Sequence, residues 1–128
     1  KDLLGSYRKG RDQYKVTCGA CHQADGKGLA NMAPTLAKSD WVLGDVHRVI
    51  GVAVHGLMGP IKVNGELVEG VPPIMPPHGF MKDEQLADIL TYVRNAWGNR
   101  ADGISAQEIS DYRKKESARV APWTEAEF

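Results

Sequence analysis

Sulfur able to form a cross-link is scarce in this chain. Its 128 residues include two cysteines, Cys18 and Cys21. A disulfide between positions so close closes too short a loop to add much stability. A four-ligand zinc site would need a second cysteine pair or a pair of closely spaced histidines, and the sequence offers neither. A thioredoxin-like redox pair expects a strand before it and a βαβ unit around it, whereas the residues before Cys18 read as helix. Charge of one sign is lacking too: sixteen lysines and arginines balance sixteen aspartates and glutamates. No basic stripe exists to bind nucleic acid. No apolar run approaches the roughly 20 residues of a membrane span. Internal repeats, low-complexity tracts and composition breaks are missing, so residues 1–128 are expected to form one domain. No signal-peptide pattern opens the chain, and Lys1 is expected to be a mature terminus or the cut end of a longer chain.

The two cysteines stand in Cys18-Gly19-Ala20-Cys21-His22, a C-x-x-C-H. Thiols at this spacing suit addition to the two vinyl groups along one edge of a haem, with the adjacent imidazole under the iron. One covalently attached haem c is therefore the expected cofactor, tethered by Cys18 and Cys21 with His22 as an iron ligand.

Upstream, Leu3, Tyr7, Gly10 and Tyr14 recur at helical spacing and predict a helix over residues 2–17. Gly10 falls on its apolar stripe and costs about 1 kcal/mol of helix propensity. A close crossing by a later helix would compensate. Downstream, 23–28 is a glycine-rich turn. In the next loop, the carbonyl of Pro34 is placed to accept the other ring N–H of His22, and Leu36 to pack on the haem face. Trp41 is a candidate haem-pocket residue, its indole N–H placed to bond a propionate, with simple core packing as the alternative. A second helix is predicted over 45–55, with Asp45 as N-cap and Gly56 as stop. Asn64-Gly65 between short alternating runs predicts a hairpin over 61–68 with a type I′ turn, lying on the body or on a partner.

Residues 71–80 contain four prolines, at positions 72, 73, 76 and 77. They forbid helix and push Met75 towards extended geometry. The strongest helical pattern comes next, over 83–97, with Gly98 as C-cap. Ser105 and Glu108 form a capping box that opens a last helix to about residue 118. Its Arg113-Lys114-Lys115 run is expected to be a solvated face, and Pro122-Trp123 to anchor the terminus.

Together these pieces resemble class I, single-haem cytochromes c. The resemblance rests on Gly10-x-x-x-Tyr14-x-x-x-Cys18-x-x-Cys21-His22, on Pro34-x-Leu36, on Met75-Pro76-Pro77 and on the helix containing Tyr92. Trp41-Val42-Leu43-Gly44, the stretch 55–60 and the stretch 90–99 are similar to bacterial cytochrome domains associated with quinoprotein and sugar dehydrogenases. The resemblance implies an all-α cytochrome c fold wrapped round one covalent haem, with a core over about 5–98. The hairpin at 61–68 and the helix within a C-terminal extension over 99–128 exceed the minimal fold. It also implies a periplasmic or otherwise exported protein.

The sixth-ligand candidates are Met75, Met58, Met32, Met81 and the three remaining histidines, His78, His55 and His47. Met75 has the stiff context and the family position. A His22/Met75 pair leaves no open iron site, which points to a one-electron carrier rather than an enzyme. The expected partners are a dehydrogenase donor and an oxidase or other cytochrome acceptor. The alternatives are a peroxidase-like haem enzyme and a haem-based redox or gas sensor, each with a displaceable methionine.

Overall fold

A helix carrying a glycine on its apolar stripe can let a neighbour approach to backbone contact, and Gly10 does so. In the computed structural model, which describes residues 3–29, 33–68 and 74–128, α1 (Leu3–Thr17) crosses α5 (Asp83–Val93) at that position. A Cβ on Gly10 would stand 1.9 Å from the Asp88 carbonyl oxygen and 2.9 Å from Tyr92 Cβ. Ser6 Oγ donates to Asp88 Oδ1 at 2.7 Å alongside. Tyr7, Tyr14, Tyr92 and Trp97 fill the flanks of the crossing, with ring centroids 4.9–5.5 Å apart. Leu3, expected on the buried face, is instead 53% exposed, although its side chain lies near Gly103.

Between these two helices lie α2 (Gly19–His22), α3 (Asp40–Leu43) and α4 (Val46–His55). The single turn of α3, not foreseen from the sequence, is capped by Ser39, whose Oγ accepts from Trp41 N at 3.2 Å. Asp45 caps α4 by accepting from His47 N at 3.1 Å, and Gly56 ends it in the left-handed region at φ 86°.

The hairpin pairs β2 (Lys62–Val63) with β3 (Glu66–Leu67). Asn64 and Gly65 take φ 53° and 84°, the signature of the type I′ turn. It lies on the body: Asn64 exchanges hydrogen bonds with Asp40 at 2.9 and 3.0 Å and donates to the Lys38 carbonyl at 3.0 Å. A second ladder joins β1 (Leu57–Met58) to β4 (Ile74–Met75), with Leu57 opposite Met75. Two residues per strand carry no periodicity, and this pairing was not readable from sequence.

The strongest predicted helix stops at Val93, four residues earlier than its pattern implies. Side chains beyond it satisfy the last carbonyls instead. Asn95 Nδ2 donates to Thr91 O at 2.9 Å, and Asn99 Nδ2 donates to Val93 O at 2.9 Å. Trp97 is left-handed at φ 55°, and its indole N–H closes the turn after His22 by donating to Ala24 O at 2.8 Å. Arg94 runs inward, with Nη1 2.8 Å from Val42 O and Nε 2.9 Å from Asp102 O. Arg94→Leu would remove the donor to the buried Val42 carbonyl. It should lower the unfolding free energy by roughly 2 kcal/mol, seen as a lower denaturant midpoint at unchanged slope.

The last helix, α6 (Ala106–Lys115), opens on the expected capping box, with Ser105 N donating to Glu108 Oε1 at 3.0 Å and Glu108 N to Ser105 Oγ at 3.1 Å. It packs on α5 and α4 through Ile109, which has no exposed surface, and through Tyr112. Trp123 is buried against this helix, its indole N–H donating to Tyr112 Oη at 2.8 Å.

Candidate functional site

The tight turn of α2 brings Cys18, Cys21 and His22 to one wall of a cavity of about 530 Å³. The volume lies within the range of cofactor pockets, roughly 300–1,000 Å³. His22 N bonds to Cys18 O at 3.0 Å, so one helical turn fixes the three side chains relative to each other. Apolar residues between positions 33 and 93 line the rest, among them Leu36, Val49, Ala53, Leu57, Ile61, Leu86 and Ile89. A second hollow of about 400 Å³ beside the hairpin has no cysteine, histidine or methionine among the described residues of its lining.

His22 is 7% exposed. Burial pulls its pKa below the ordinary histidine value, against the opposing pull of the Pro34 carbonyl. Its Nδ1 lies 3.0 Å from Pro34 O. A carbonyl only accepts, so Nδ1 carries the proton and Nε2 keeps its lone pair. Burial pushes the Cys18 thiol up to about 11, with Cys21 adding to the shift. Both thiols are free, and Cys21 is exposed while Cys18 is partly covered.

Pro34, Leu36 and Trp41 all line the cavity. The indole N–H of Trp41 is spent on the Lys62 carbonyl at 2.7 Å. Its contribution to the pocket is therefore the ring and not a donor for a propionate.

Met75 lines the same cavity, as do Met81 and His78. Met81 is packed into the apolar core. Met58 does not line the cavity and is 38% exposed. Met32 lies outside the described residues, as do residues 71–73 of the proline-rich strap. His55 is turned to another task, its Nδ1 sitting 2.7 Å from Tyr112 Oη. His47 bonds Glu116 at 3.0 Å.

Arg113 departs from the sequence expectation. It is not a solvated cation: Nε donates to Asp83 Oδ1 at 2.6 Å, Nη1 to Gly79 O at 2.9 Å and Nη2 to Met81 O at 2.5 Å. The signal was available in its spacing, since Arg113 lies four residues after the fully buried Ile109 and shares its face.

The donor set fits a covalently held haem: two free thiols at one edge, an oriented neutral imidazole, and a thioether in the wall of one apolar cavity. The family model for cytochrome c matches residues 7–97. The chain is 30% identical over 109 residues to the cytochrome c subunit of a quinone-dependent alcohol dehydrogenase from Gluconacetobacter polyoxogenes, covering 81% of this chain and 22% of that one. It is 30% identical over 117 residues to the cytochrome c subunit of gluconate 2-dehydrogenase from Pantoea cypripedii, covering 87% and 25%. With cytochrome c-552 of Thermus thermophilus it shares 29% identity over 111 residues, covering 82% of each. The chain thus spans about a quarter or less of the dehydrogenase subunits and most of the small cytochrome. On the extent of the family match, the chain belongs to the cytochrome c family as a class I, single-haem member that carries one covalently attached haem c.

Proposed function

We propose that this cytochrome accepts single electrons from an exported, periplasmic-type dehydrogenase and delivers them to an oxidase or another cytochrome. In this reading Cys18 and Cys21 form the thioether tethers, and His22 and Met75 are the axial ligands. The observation that carries it is the shared cavity of the oriented imidazole of His22 and the thioether of Met75, with apolar residues between. When bound, haem c supplies a one-electron ferric/ferrous couple. The chain's part is to hold and insulate it. The Pro34 carbonyl keeps the His22 ring in one plane and one tautomer. Leu36, Trp41 and Ile61 limit water access. Cys21 is exposed, so the tethered edge is where a partner comes within reach. The names of the dehydrogenase subunits it is similar to support a dehydrogenase as donor. No helix among the described residues is long and apolar enough to cross a membrane.

The test is optical, with a mixing experiment after it. The ferric protein should show the weak red-end sulfur-to-iron band, and the ferrous protein should not change on adding carbon monoxide. Reduction by a quinoprotein dehydrogenase turning over its sugar or alcohol should be complete within the mixing experiment. A high-spin ferric spectrum, or prompt carbon monoxide binding, would instead favour the peroxidase-like or sensor reading. His78 in the cavity wall is the feature that serves those alternatives.

A further inference from the structure

The family match ends at residue 97, yet residues 98–128 are not a loose tail. They grip the segment that carries Met75 on two flanks. On one flank, Arg113 of α6 donates to the Gly79 and Met81 carbonyls and to the Asp83 carboxylate. These three residues connect the proline-rich strap to α5. On the other flank, Trp123 N donates to Gly56 O at 3.0 Å, and Met58 N donates to Trp123 O at 2.8 Å. That brings the terminal segment in beside β1, whose Leu57 is the ladder partner of Met75. Gly56 tightens the same junction, since a Cβ there would stand 2.5 Å from Met75 O.

We infer that the C-terminal extension is a clasp on the sixth-ligand segment, with Arg113 as a positioning residue that keeps the Met75 thioether from leaving the iron. This rests on the axial role proposed for Met75. A fork with three acceptors is a constraint that a lysine cannot reproduce. The segment between Met75 and α5 can swing away only if the fork breaks. The clasp therefore lowers the population of an open form in which an outside ligand reaches the iron.

Imidazole added to the ferric holoprotein reads that population directly, because apparent affinity scales with the fraction that is open. The clasp predicts that Arg113→Ala binds imidazole at least about 10-fold more tightly than the parent, with Arg113→Lys in between. Ser6→Ala serves as the comparison. It removes a buried hydrogen bond between α1 and α5 that involves none of the strap's residues, and should lower denaturant stability while leaving imidazole affinity within about twofold. A parent showing the red-end sulfur band, with Arg113→Ala no tighter for imidazole than Ser6→Ala, would overturn the clasp and leave Met75 ligation standing. If the parent lacks the band, the axial assignment fails and the clasp goes with it. If Arg113→Ala yields no folded protein, Arg113→Lys decides alone: tighter imidazole binding supports the clasp, parental affinity refutes it.

Discussion

Met75→Ala should yield a folded haem protein whose ferric form has lost the red-end sulfur band and whose ferrous form binds carbon monoxide. Its reduction potential should fall by on the order of 0.2 V, a quarter of the roughly 0.8 V that axial ligation spans. A neutral, soft thioether favours the ferrous state, so replacing it with water or a histidine stabilises the ferric state. Met58→Ala is the matched comparison, because the two methionines sit on paired strands, Met75 opposite Leu57 and Met58 opposite Ile74. Met58 is 38% exposed and does not line the cavity, so its loss should change neither band nor potential. A normal band in the Met75 variant would redirect attention to Met81, whose thioether shares the cavity wall.

Gly10→Ala should cost about 3 kcal/mol, the upper end for overpacking a close contact. On an isolated helix the same change would help by about 1 kcal/mol. Packing overrides propensity here because the added carbon would fall 1.9 Å from a backbone oxygen of α5. That oxygen belongs to a helix and cannot rotate aside, so α1 and α5 must separate and loosen the aromatic packing of Tyr14 against Tyr92 and Trp97. Chemical denaturation should show a lower midpoint, while the red-end band persists, since neither axial candidate is touched. A raised midpoint would mean the helices do not cross at this residue.

What could be read from the sequence was whatever local spacing encodes. The C-x-x-C-H, the apolar stripes of α1 and α5, the Asn64-Gly65 turn and the Ser105/Glu108 box each specify structure within a few residues. The approach of α5 to Gly10 was legible for the same reason, since a glycine on an apolar stripe needs a partner. Features made by distant residues were not. Val93 ends α5 because Asn95 and Asn99 satisfy its carbonyls, which an apolar pattern running on to Trp97 conceals. The Leu57–Met75 ladder is too short to alternate. Arg113 sat in a basic run that reads as surface, and only its face on α6, shared with Ile109, sets it apart. Within the site, the motif nominated Cys18, Cys21 and His22, and the strap nominated Met75. His78 and Met81, the other candidates that line the same cavity, are not separated from Met75 by any local spacing.

The contact between Ser6 and Asp88 joins positions 82 residues apart, and that span sets the order of events during folding. A 15-residue helix is marginal in water without something to pack on. Until synthesis or export has delivered the residues of α5, α1 has no docking surface and the loop that would bring one remains open. Cys18 and Cys21 sit at the end of that unsupported helix, so their thiols stay reachable from solvent for as long as the second half of the chain is missing. Arrival of α5 closes the loop and ends that interval.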